Sequence, residues 1–297
     1  MNKQLKNRTE PLAHTVLGLM SLFAIIPFIL MFISSFTDDK TLIATGYSFF
    51  PSKLSMEAYG FLWIQRKMIA RAYGITVLMT VVGTTISLTI TSLLAYTLSR
   101  KDFKWRKPLT FYVFFTMLFN GGLVPTYLLY AKYMGIKNSL WALLLPGLLM
   151  NGFNIMIMKT YFSTNIPEAV IESALIDGAG KARTFLSVVI PLSYPILATI
   201  GLFIGIAYWN DWYNGLIFVT DESYFNIQNL LNRILMNIQF LKSASVGSSD
   251  VASLAAKLPA VSIRMAIATI GVVPILATYP FFQKYFVKGI SIGAVKG

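Results

Sequence analysis

The sequence predicts an all-α integral membrane protein with six transmembrane helices, and three observations carry that reading. The 297-residue chain is 56% hydrophobic and only 12% charged, about half the roughly 25% charge of an ordinary soluble domain. Its apolar residues gather into six windows, each near the ~20 residues that cross a bilayer as a helix. Period-two alternation is absent, which argues against a barrel. In hydrocarbon every backbone N–H and C=O must be satisfied within the segment, so helices are the default. A soluble globular enzyme, a disordered chain and a disulfide scaffold are excluded by the same composition. The expectation is one membrane domain over residues 1–297.

The windows follow in chain order. Residues 15–36 are uncharged and follow a basic start at Lys3, Lys6 and Arg8. A signal peptide has a core of about 7–15 residues and a small-x-small cleavage site. This core is longer and no such site precedes Asp38, so a retained span is expected. Residues 73–98, 108–131 and 139–158 are also uncharged. The fifth window, 191–209, opens on Pro191 and runs on weakly to Thr220. The sixth is 265–282, which Ala260–Ser262 can extend upstream.

Orientation follows from the basic residues of the loops. With the N-terminus inside, the cytoplasmic segments hold 14 Lys and Arg and the outer ones 11. The strongest signal is the run Arg100-Lys101-Asp102-Phe103-Lys104-Trp105-Arg106-Lys107. The net charge of +13 is therefore read as topology, not as a nucleic-acid footprint. Both termini are expected in the cytoplasm, the chain lying in a membrane.

Chemistry-bearing motifs are scarce. There is no cysteine, hence no disulfide, zinc thiolate or Cys nucleophile. His14 is the only histidine and sits at a span edge, where it reads as interfacial. Gly178-Ala179-Gly180-Lys181 imitates a phosphate loop, but that pattern needs Gly and Ser or Thr where Leu175 and Ala182 stand, so no nucleotide hydrolysis is expected. No catalytic residue, metal site or cofactor is assigned to this chain. The spans carry almost no acids, although ion-coupled carriers place them there. A carrier working alone is therefore disfavoured; a pore-less scaffold would be excluded by ATP-dependent uptake that is lost on deletion.

The loop 159–190 is the informative one. Thr164 or Asn165 can cap a helix, and Pro167 suits its first turn. Glu168 and Glu172 lie near the positive helix end. Ile171, Ala174, Leu175 and Gly178 fall on one side, and Gly178 can stop the helix. A second short helix is expected from Lys181 to Ile190. An amphipathic helix made to lie on lipid carries Lys and Arg on its polar face. This one carries Glu168, Glu172 and Asp177, so a protein partner fits better.

Glu172-Ser173-Ala174, three residues, Gly178, nine residues, then Val188-Val189-Ile190-Pro191 resembles the EAA motif of permease subunits in binding-protein-dependent ABC importers. Ser173, Val188 and Ile190 depart from the usual Ala, Ile and Leu but roughly keep size. The stretch Asn120-Gly121-Gly122 with Pro125, the pair Trp209-Asn210 and the ending 289–297 are similar to the MalG-like carbohydrate permeases, nearest the LplC-like branch. The resemblance covers most of the chain.

The resemblance implies the type I importer fold and a permease for an oligosaccharide. It also implies a second homologous permease, two ATPase subunits that bind ATP and Mg, and an extracytoplasmic binding protein. Another solute class, such as an amino acid or peptide, stays open. Carried over, Glu172 would pair with a basic residue of the ATPase, Ile171 and Leu175 would fill its cleft, and Ala174 and Gly178 would allow close packing. Glu168, Ser173 and Asp177 complete that helix. Gly293 and Lys296 in the tail would reach the ATPase interface. Ser245, Val246, Gly247, Ser248 and Ser249 would form the tip that meets the binding protein. Asn151, Asn154, Tyr208, Trp209 and Asn210 are candidates for the substrate pathway. The stripe Thr76, Thr80, Thr84, Ser87 and Thr91, and Gly201 with Gly205, are expected to serve helix packing.

Overall fold

The computed structural model describes residues 3–244 and 260–294. Among the described residues the structure is helical, with no strand beyond an isolated antiparallel bridge between Thr37 and Leu54. The helices are α1 (Lys3–Ser35), α2 (Asp39–Thr45), α3 (Glu57–Ile64), α4 (Arg66–Ser99) and α5 (Arg106–Leu118). Then come α6 (Leu123–Tyr133), α7 (Trp141–Leu144), α8 (Gly152–Asn165), α9 (Glu168–Ile176) and α10 (Lys181–Leu192). The last are α11 (Tyr194–Trp209), α12 (Tyr213–Phe218), α13 (Ile227–Ala244) and α14 (Ala260–Ala294).

Among the described residues, three helical stretches are long and apolar enough to cross a membrane unbroken: Ala13–Ser35, Arg66–Ser99 and Ala260–Ala277. Two further candidates are bent pairs. Arg106–Leu118 and Leu123–Tyr133 meet at 113°, and Lys181–Leu192 and Tyr194–Phe218 at 85°. The third expected window, 108–131, is thus not one straight helix. Phe119 turns extended, the Asn120 carboxamide oxygen accepts from the Gly122 N–H at 2.7 Å, and Gly122 takes φ +86°. A left-handed residue cannot continue an α-helix, and glycine adopts it at least cost.

The fourth window, 139–158, is broken more deeply. It holds the single turn α7, then an irregular stretch with Gly147 at φ +72°, and α8 starts only at Gly152. Pro146 explains the interruption, since proline has no N–H to donate and crowds the preceding turn. The carbonyls left without helical partners are taken up by side chains. Tyr208 donates its hydroxyl to Leu144 O (2.9 Å), Asn214 donates Nδ2 to Pro146 O (2.9 Å), and Ser87 Oγ reaches Leu148 O (3.4 Å). A broken helix at membrane depth requires such donors. The fifth window begins at Tyr194 rather than Pro191, because the chain turns at Ser193.

The chain divides into two units. One comprises Met1–Met68 and Arg233–Leu276. There Asp39 Oδ1 accepts from the N–H groups of Val261 (2.8 Å) and Ser262 (2.9 Å), capping the start of α14. Most apolar side chains of α1 between Val16 and Phe32 are exposed, as befits a helix built to meet lipid or another chain.

The other unit comprises Ile69–Asn232 and Ala277–Gly297. Its centre is the antiparallel contact of α4 with α11. The Tyr208 ring lies where a Cβ on Gly83 would come within 2.5 Å, Gly205 faces Thr84 and Gly201 faces Leu88. Thr76, Ser87 and Thr91 are buried along this face. The expected packing roles of the hydroxyl stripe and of Gly201 and Gly205 match this geometry. Close backbone approach through small residues is how apolar helices pack without a hydrophobic driving force. α5 packs on α8 at a similar approach, Gly152 against Met117.

Candidate functional site: the loop between α8 and α10

The expected short helix is present as α9, Glu168–Ile176. Its start differs from expectation. Asn165 ends α8, with Nδ2 donating to Thr164 Oγ1 (2.9 Å), and Pro167 occupies the cap position with extended backbone. Neither Thr164 nor Asn165 caps α9.

Its end is as expected. Gly178 has φ +81°, the Ala179 N–H donates to Ala174 O (3.0 Å), and the Gly178 N–H donates to Leu175 O (3.1 Å). These paired bonds close a helix around a left-handed residue, the position where glycine is favoured. Open space lies where a Gly178 Cβ would point. The second helix starts at Lys181 as expected and runs through Pro191 to Leu192.

The faces of α9 are not as the spacing suggested. Ile171, expected to fill a partner's cleft, is 3% exposed and turned into its own chain. The exposed apolar residues are Val170 at 39%, Leu175 at 41% and Ile176 at 85%. Glu172, Ser173, Asp177 and Gly178 are exposed and Ala174 is half-buried. α9 packs on the turns of α10, and spacing alone does not say which side of the helix its own chain covers.

Glu168 also faces inward, electrostatically. Its Oε2 accepts from Lys101 Nζ at 2.8 Å, and Arg100 stands 3.7 Å from Oε1. The hydrogen bond and charge of Lys101, aided by Arg100, hold its carboxyl below the usual carboxylate range. A depressed carboxylate pKa favours the folded arrangement above the unfolded value, and that gain is lost as pH falls through the folded one. Glu168 is therefore a carboxylate at neutral pH. Lys181 Nζ lies 3.6 Å from Asp102 Oδ2. By sequence alone Arg100–Lys107 reads only as a topology signal; the lone acid Asp102 in a basic run is the available sign of these contacts.

The pathway candidates divide. Tyr208 is 2% exposed, packed on Gly83 and bonded to Leu144. Asn151 caps α8 by accepting from the Asn154 N–H at 3.2 Å, and Asn154 is buried. Tyr208 and Asn151 thus each bond to the backbone of the broken fourth window. Trp209 is half-buried near Tyr73, and Asn210 is exposed beside Gln228. Gly293 lies within α14. Lys296, Ser245, Val246, Gly247, Ser248 and Ser249 lie outside the described residues.

No protein-family profile matches the chain. Individual proteins do. The chain is 37% identical over 99% of its length to the polygalacturonan/rhamnogalacturonan transport system permease protein YtcP of Bacillus subtilis, covering 100% of that protein. It belongs to the permease subunits of ABC importers. Protein LplC of Bacillus subtilis is 35% identical to this permease, over 95% of this chain and 92% of its own. MalG, the trehalose/maltose transport system permease protein of Thermococcus litoralis, is 29% identical over 94% of each. A crystal structure of a bacterial ABC transporter that imports the acidic polysaccharide alginate matches with a TM-score of 0.77 at 27% identity, over 96% of this chain and 99% of that one. The permease is a transport subunit of the MalG- and LplC-like group, not itself an enzyme.

Proposed function

We propose that this permease forms half of the translocation pathway of an ATP-driven importer and couples to its ATPase through α9. The observation that carries the reading is the form of that helix. A short helix closed at Gly178 presents Leu175, Ile176, Glu172 and Asp177 outward, an apolar centre with an acidic rim suited to a basic-rimmed cleft. Glu172 is the residue proposed to pair with the ATPase, Leu175 and Ile176 to enter the cleft, and Gly178 to let the surfaces approach. The tail, with Gly293 and Lys296, is proposed as a second contact.

The proposal extends to the assembly: a second permease, two ATPase subunits that hold ATP and Mg, and a binding protein met by residues 245–249. The chain acts in it as one membrane domain with six spans in a prokaryotic cell membrane and both termini cytoplasmic, the third, fourth and fifth spans being broken helices. Trp209 and Asn210 are the remaining pathway candidates.

For the cargo we propose an oligosaccharide, with uronic-acid oligomers tested first, because polygalacturonan and alginate stand in the names of similar proteins. In membrane vesicles carrying the assembled importer, Glu172→Lys is expected to lower uptake of a galacturonan oligomer roughly tenfold or more, the scale on which truncating one partner of an interfacial charge pair acts. ATP hydrolysis by the partners should persist. Normal uptake at normal assembly would sink the coupling assignment.

A further inference from the structure

Docking through the outward face of α9 leaves one cluster of charges without a role. The turn after α4 carries Arg100, Lys101 and Asp102, and it touches both helices of the loop. Lys101 and Arg100 meet Glu168, the first residue of α9, at 2.8 and 3.7 Å. Asp102 meets Lys181, the first residue of α10, at 3.6 Å, and Arg100 Nε at 3.7 Å. The signs match in order: cations face the acid that opens α9, and the adjacent acid faces the cation that opens α10. A slip that exchanged the partners would set Lys101 against Lys181 and Asp102 against Glu168. Such like-charge juxtaposition is what fixes a register.

An exposed ion pair by itself contributes little. Here four contacts share five residues, and the Arg100 side chain is only 20% exposed. The same corner is tied on its apolar side. The Tyr96 ring, near the end of α4, lies 5.0 Å from that of Phe185 in α10 and 6.2 Å from that of Phe162 in α8. α4 itself is 34 residues, a rod of about 50 Å at 1.5 Å per residue. Along it, Gly83 seats Tyr208, and the Thr76 hydroxyl accepts from the Ile227 N–H at 2.8 Å. A displacement applied at Glu168 therefore has a continuous route through α4 to α11 and to the start of α13.

We propose that the Arg100–Lys101–Asp102 turn is a strap that keeps α4 and the docking loop moving as one body, so that Arg100, Lys101, Asp102 and Lys181 are positioning residues for coupling. The strap rests on the reading of α9 as the ATPase-docking helix. It stays closed through the transport cycle.

The test uses the full importer in proteoliposomes, with its binding protein and a galacturonan oligomer as probe, and reads ATP hydrolysed per oligomer imported. Lys101→Glu should raise that ratio roughly three- to tenfold at normal assembly, the scale of coupling between contacting residues. Adding Glu168→Lys should bring it back to within about twofold. An unchanged ratio in the single variant, or no recovery in the double one, overturns the proposal. A second measurement covers poor assembly of Lys101→Glu. The chain has no cysteine, so Lys101→Cys with Glu168→Cys can be joined by a short cleavable thiol cross-linker. Uptake retained after cross-linking supports a strap that stays closed. Uptake lost on cross-linking and regained on cleavage overturns it. Glu172→Lys run in parallel separates the two readings. If it leaves coupling normal, the docking assignment fails; if it uncouples while the strap variants stay normal, the strap alone fails.

Discussion

Single residues decide where these helices touch. Gly83 is an instance: a Cβ there would lie 2.5 Å from the Tyr208 ring, too close for any side chain. Gly83→Ala should force the ring from its seat and pull its hydroxyl from Leu144 O. Overpacking of this kind costs about 1–3 kcal/mol, and a lower melting temperature of the purified importer would report it. Gly201→Ala is the contrast, since its nearest neighbour, Leu88, stands at an ordinary 3.4 Å. It should melt close to wild type. Equal melting of the two variants would mean that Tyr208 does not sit where the structure puts it. The sequence offered no sign of this difference. All three glycines lie in uncharged helical windows, and only Gly201 and Gly205 have the spacing that draws notice.

At the scale of elements, side chains supply what broken helices lack. Asn138 works this way at the end of α12. It takes φ +56°, donates its N–H to Phe218 O (3.0 Å), and accepts the N–H groups of Thr220 (2.6 Å) and Asp221 (3.1 Å) on Oδ1. Asp39 does the same for the start of α14. Asp39→Ala should destabilise that start by about 1 kcal/mol, the usual value of a lost cap. Hydrogen exchange at Val261 and Ser262 would rise, and unchanged protection there would refute the cap. α9 was legible from its Pro, acids and Gly178. Its buried face was not, because 3–4 spacing gives the direction of Ile171 and Leu175 only relative to each other. Which of the two is buried depends on how the hairpin folds back.

At the scale of the whole molecule, the proposed topology can be checked directly, since any introduced cysteine is unique in this chain. Lys104→Cys should react with an impermeant thiol reagent only in inside-out vesicles, and Ser48→Cys only in intact cells. Both reacting from the same side would overturn the orientation. The amino-acid sequence alone determined the class, the helical build, the position of the short helix after α8 and its closure at Gly178. These follow from composition, hydropathy windows and one residue's backbone freedom, all local or additive properties. Tertiary structure decided the rest. Uncharged windows that look alike became straight helices or bent and broken ones, because Pro146 and Gly122 interrupt a helix while Tyr208, Asn214 and Ser87 arrive from elsewhere to satisfy its carbonyls. The run Arg100–Lys107, legible only as charge, acquired partners 67 residues away in sequence at Glu168. Contacts of that range depend on how the chain returns on itself, which hydropathy windows and local spacing do not specify.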